Sequence, residues 1–200
     1  MCPLLTPDSN IVYHKTPMTT TAEAPYLGQI GSGQRGDISW SGYGPVSLVS
    51  DQWVLCSAWA IIGWIGSSNV KFVGLGGAFT PRYSHNPDEI YNVITQHIHP
   101  LYNHNYSEVY NSIALLQLDR RVTFTARILP ACLHTGSGTP LPDSGFIQTD
   151  KDGKTTMQRL SQEECSRAYP TGSFHHPAGV KHDQEICSRP VNTTGICPVC

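Results

Sequence analysis

Apolar positions in this chain come in short runs, separated by Gly, Pro, Asn and Ser. Residues 26–30, 38–40, 45–49 and 53–55 are rich in Val, Ile, Leu, Tyr and Trp, and each predicts a strand. The Gly-Ser-Gly-Gln-Arg-Gly run at 31–36 predicts the tip of a hairpin between the first two. Residues 70–75 alternate as a half-buried strand does, and 91–99 and 113–118 predict two more strands. The runs recur about every ten residues, the rhythm of an all-β sandwich or barrel. One segment alone predicts a helix: Ser161, with Glu164 three residues on, is a capping box ahead of Cys165. Residues 1–25 and the Pro/Gly-rich stretch 135–143 read as loops, and the second divides the chain into a longer first part and a shorter second one.

The chain has 200 residues, of which 39% are hydrophobic. Folding a chain of this size hides about 70% of its unfolded surface, enough for a real core. Only 14% of residues are charged, the net charge is −2 and no Lys/Arg run occurs. Those numbers argue against a nucleic-acid or anionic-membrane footprint, and no apolar stretch reaches the ~18 residues of a membrane span. Seven cysteines point to an oxidising compartment with an odd thiol left over. The acceptor triplets at Asn105 and Asn192 agree, because N-glycosylation marks secreted chains. The first residues carry no basic segment of a secretion signal, so such a signal is expected upstream, and the terminus at Cys200 reads as a cut end.

The run from Ser50 to Ala60, Ser-Asp-Gln-Trp-Val-Leu-Cys-Ser-Ala-Trp-Ala, resembles the trypsin-like serine endopeptidases, whose pattern there is Ser-x-x-Trp-Val-Leu-Thr-Ala-Ala-His-Cys. His99-Pro-Leu-Tyr-Asn, Asn111-Ser-Ile-Ala-Leu-Leu-Gln-Leu, Val122-Thr-Phe and Ile128-Leu-Pro-Ala-Cys-Leu resemble the same family's later segments. Cys165, Tyr169 and Ile186-Cys187 resemble its second-barrel disulfide, and the runs at 25–30 and 38–40 resemble its arthropod extracellular branch. The resemblance implies one all-β domain over 1–200 made of two antiparallel barrels. The first spans about 11–128; the second, about 129–200, is truncated at the C-terminus. It also implies the bridges Cys2–Cys132 and Cys165–Cys187, a partner for Cys197 beyond the visible end, and none for Cys56 or Cys200.

Departures from the family pattern decide the expected function. The family's general base falls at Trp59, and an indole has a donor N–H but no basic nitrogen. The carboxylate that orients the base falls at Ser112, which is neutral. The nucleophile's Gly-Asp-Ser-Gly-Gly-Pro motif is absent, and the activation site is replaced by Asn10-Ile-Val-Tyr-His. Ala60 stands where the family has a cysteine, and its partner position falls near Gly42 or Gly44. Catalytic residues are therefore expected to be none, with Trp59 a cleft filler and Ser112 a plain replacement at a buried polar site. A zinc or redox role for Cys187, Cys197 and Cys200 with His175, His176 and His182 ranks below truncated disulfide partners, and a metal at His97 and His99 ranks below a family feature. The expectation is a non-catalytic serine protease homologue, without metal or cofactor. It would be extracellular, holding other proteins, such as proteases or their substrates, in a proteolytic cascade. The alternatives are an active endopeptidase, if a full-length form carries the triad, and a non-functional fragment.

Overall fold

The computed structural model describes residues 25–65, 70–76, 86–103, 109–133, 144–150, 153–173 and 175–191. Six strands form a closed antiparallel barrel: β1 (Leu27–Gln34), β2 (Asp37–Leu48), β3 (Trp53–Cys56), β4 (Phe72–Leu75), β5 (Ile90–Ile98) and β6 (Ala114–Leu118). The order around the barrel is β1-β2-β3-β6-β5-β4, and β1 closes on β4 with Gly28 opposite Leu75 and Gly31 opposite Phe72. Gly28 is required at that seam, because a Cβ there would stand 2.5 Å from the Gly74 carbonyl oxygen.

Side-chain alternation sets the inner face. In β3, Val54 and Cys56 point inward and are buried, while Trp53 and Leu55 are half-buried outside. In β6, Ala114, Leu116 and Leu118 are buried and Leu115 lies exposed between them. Ile30, Leu48, Val73 and Leu75 fill the interior from the other strands.

A second unit follows. β7 (Ser144–Asp150), β8 (Gly153–Arg159) and β9 (Ser188–Pro190) form a three-stranded antiparallel sheet in that order. Between β8 and β9 lies α1 (Gln162–Ala168), whose N-cap Ser161 accepts from the Glu164 N–H while the Glu164 carboxylate accepts from the Ser161 N–H. The cap satisfies otherwise orphaned backbone donors, so this helix forms where the sequence predicted it. Cys165 on α1 is joined by a disulfide to Cys187 just before β9.

Four sequence expectations need correction. Residues 31–34 are not part of the hairpin tip but the end of β1, and only Arg35 and Gly36 make the turn. Residues 38–40 and 45–49 are not two strands but parts of one twelve-residue strand, β2. A register shift between Gln29 and Gly31 lets β1 follow it past that break. The segment 72–75 is not half-buried, since all four residues are buried, β4 lying at the barrel seam. The described residues also include two further helical segments, a 3₁₀ turn at Pro87–Glu89 and a π-helical stretch at Ala60–Ile65, the latter anchored by Ile61, which is 0% exposed.

Candidate functional site

β3 and β6 pair antiparallel with Cys56 opposite Ala114. Continuing that register past the strand ends carries Ser57, Ala58 and Trp59 up against Ile113 and Ser112. The base position and the orienting position, 53 residues apart in sequence, are thereby brought together. The Trp59 backbone N–H donates to Ser112 Oγ at 3.1 Å, and Ser112 Oγ lies 2.8 Å from Ser57 Oγ. Ser57 and Ser112 are half-buried. Trp59 is half-buried too, flanked by Ala58 and Ala60 at 0% and 1% exposure, which hold the segment to the core.

Ser112 enters this contact from a tight turn. Asn111 has φ +57°, a left-handed conformation that asparagine tolerates better than most side chains. Its side-chain amide donates to the Leu101 carbonyl at 3.2 Å, and the Ser112 N–H donates to the Val109 carbonyl at 3.2 Å. The turn is thus fixed before β6 begins.

Chemically, the contact consists of two hydroxyls and a backbone amide. Two hydroxyls can exchange donor and acceptor roles, but neither removes a proton from a nucleophile at neutral pH. Cys56, one residue before Ser57, is buried, and burial pushes its thiol up to about 12. At that value it is no thiolate nucleophile near neutral pH.

The remaining residues singled out in the sequence fall as follows. Cys132 is exposed after the barrel, while Cys2, Cys197, Cys200, Asn105 and Asn192 lie outside the described residues. Of the residues weighed for zinc, Cys187 is in the disulfide, His176 is hydrogen-bonded to Glu185 at 3.0 Å, and His182 to Ser166 at 3.1 Å. Among the described residues no group of three or more His, Cys, Asp or Glu could hold a metal, and no helix is long and apolar enough to cross a membrane. His97 packs its ring on Trp53 at 5.5 Å.

Two parts of this neighbourhood escaped sequence reasoning. Ser57 lies inside the family-like run 50–60, but at a position where the family has Ala, so the pattern gives it no role. Tyr110 ties the Ser112 turn to the second unit: its hydroxyl donates to the Gly179 carbonyl at 2.6 Å and accepts from the Ala178 N–H at 3.0 Å. No local pattern announces a partner 69 residues away.

Residues 22–198 match the family model described as Trypsin. No curated protein matches the chain. Among solved structures it is similar to neuropsin, a serine protease expressed in the limbic system of mouse brain. The TM-score is 0.59 and the identity 18%, over 86% of this chain and 72% of that one. It is also similar to the Drosophila Grass clip serine protease of the Toll pathway, with TM-score 0.60 and 17% identity. That match covers 88% of this chain and 52% of the other, so the chain spans about half of that protein's length. At these identities the likeness establishes the fold, an all-β one of the double-barrel type.

Proposed function

Because this chain belongs to the trypsin family, we propose that it is a non-catalytic member: a secreted protein that binds other proteins through its former cleft and loops, within a proteolytic cascade. One observation carries the reading. Where the family's base and its carboxylate would meet, the Trp59 backbone amide is hydrogen-bonded to Ser112 Oγ, and Ser112 Oγ to Ser57 Oγ.

The reaction depends on an imidazole that takes the nucleophile's proton and a carboxylate that orients and stabilises it once charged. Trp59 offers neither a lone pair nor a positive charge, and Ser112 carries no negative charge. Loss of a single triad member already removes most of the acceleration, and the members act as a unit. The fold itself persists without them, because the positions around Trp59 are held by Ala58, Ala60 and Ile61 in the core. A former active-site region without its chemistry is suited to holding a protein segment. The Cys165–Cys187 disulfide supports an extracellular setting, and the structural likeness to a Toll-pathway protease motivates the cascade.

The test is an assay of the purified protein on peptide and ester substrates. The expected result is no turnover above background, and none from Trp59→His, because Ser112 still supplies no carboxylate beside the new ring. Turnover by the unaltered chain that a serine-directed inhibitor abolishes overturns the reading.

A further inference from the structure

The turn that delivers Ser112 to Trp59 is held from outside its own barrel. The Val109 N–H donates to the His175 carbonyl at 3.3 Å, and the Tyr110 hydroxyl is bonded on both sides, to Gly179 and to Ala178. These partners lie in the loop closed by the Cys165–Cys187 bridge. Tyr110 is 6% exposed, with the ammonium of Lys181 over its ring at 4.1 Å and His176 meeting it edge-on at 6.0 Å. His176 is itself 4% exposed. Its Nε2 is bonded to Glu185 Oε1, and its ring meets that of Tyr169, tilted, at 4.9 Å. The second Glu185 oxygen accepts from the Lys181 N–H at 2.8 Å. His176 Nδ1 is buried with no partner, so Glu185 is the one hydrogen-bonding group that orients the ring among the described residues.

We propose that Tyr110 is a clasp through which the loop inside the Cys165–Cys187 bridge governs the Trp59–Ser112 contact. A continuous run of bonds connects the two. Glu185 fixes His176, the loop carrying His176 holds Val109 and Tyr110, the Ser112 N–H is held by the Val109 carbonyl, and Ser112 Oγ holds the Trp59 amide. Within its own barrel the turn is held by the Asn111 side chain on Leu101, by the Ile113 carbonyl accepting from the His99 N–H, and by the Ser112 Oγ bonds to Ser57 and Trp59, while Val109 and Tyr110 are bonded to the disulfide loop. It also includes a non-glycine residue at positive φ, which persists only while its surroundings hold it. A protein that seats on the loop and pulls it from Tyr110 therefore loosens the distant contact, and one that presses it home tightens it. Tyr110 is a positioning residue in this scheme. The coupling does not depend on whether the cleft turns over a substrate.

Amide hydrogen exchange, followed residue by residue, tests it. In Tyr110→Phe, which keeps the ring and removes both hydroxyl bonds, the Val109, Ser112 and Trp59 amides should exchange about tenfold faster, the factor expected for two lost hydrogen bonds near the lower end of their usual net strength. The Leu116 amide in β6 should keep its rate, which shows the barrel intact. Ser166→Ala, in the same disulfide loop but off this chain of bonds, should leave all four rates alone. Faster exchange at Ala178 with an unchanged rate at Trp59 overturns the proposal, since the lost bond would then act only locally. Should Tyr110→Phe also release Leu116, Glu185→Gln decides by the same readout: Trp59 must quicken, by a smaller factor, or the proposal fails.

Discussion

Inside the six-stranded barrel, Ile30, Leu48, Leu75, Leu116 and Leu118 are all 0% exposed and form one continuous core. Beside the three-stranded sheet, the buried cluster among the described residues is Leu160, Cys165 and Cys187, with Tyr169 and Val180 packed against it. Two of its three buried members are the halves of a disulfide. The first unit is thus held by apolar burial, roughly 1.5–3 kcal/mol for each large side chain taken out of water. Among the described residues the second shows less such surface and is stapled covalently, as small disulfide-dependent units are. One chain uses two solutions to the same entropy problem, and each should fail under a different insult.

The sharpest way to break the barrel is Leu116→Ala. Removing a fully buried leucine from a closed core costs about 2–5 kcal/mol, by lost transfer energy and by the cavity left behind. Denaturant unfolding should show a loss in that range.

Reducing the Cys165–Cys187 bridge, or replacing both cysteines by serine, comes next. The bridged residues are 22 apart, and the chain-entropy model assigns such a loop about 3 kcal/mol. Hydrogen exchange should then quicken at Leu160 and Cys165 and leave Leu116 in the barrel protected. Equal quickening in both units would mean that they unfold together and would erase the contrast.

The last effect, absent at neutral pH, concerns Cys56. Its thiol titrates at 9.0 when free in solution and at about 12 in the folded barrel, because burial disfavours the thiolate. Above 9.0 the unfolded chain has released a proton that the native chain keeps, so stability is full below 9.0 and falls as pH rises toward about 12. Burial raises Tyr91 in the same direction, so the measurement is a comparison. Cys56→Ala should lose less stability than the unaltered chain across that alkaline window, and a parallel loss in both would remove Cys56 from the account.

Much of the first unit was legible in the sequence because its strands alternate or run apolar between turn residues, and β3, β5 and β6 fall close to the predicted runs. The exceptions have physical reasons. The sequence splits β2 because Gly42 and Gly44 interrupt its apolar run, whereas the strand continues across a bulge and its pairing with β1 resumes at Pro45, opposite Gln29. The π-helical stretch at Ala60–Ile65 was invisible because its apolar run, Ala-Ile-Ile-Gly-Trp-Ile, has no helical period. The Trp59–Ser112 meeting was legible through the family pattern alone, while its third member, Ser57, was not. Tyr110, His176 and Glu185 were beyond reach for a different reason: what joins them is tertiary, and no periodicity encodes a bond between a turn before β6 and a loop after α1.

The Ser57–Ser112 pair has one more consequence. Enzymes that work by shuttling a proton through histidine are tied to the acidity range in which that ring is neutral. Here two hydroxyls and a backbone amide make the contact, and none of them gains or loses charge under physiological acidity. Whatever rests on this part of the surface meets the same donors and acceptors in a neutral body fluid and in an acidified one.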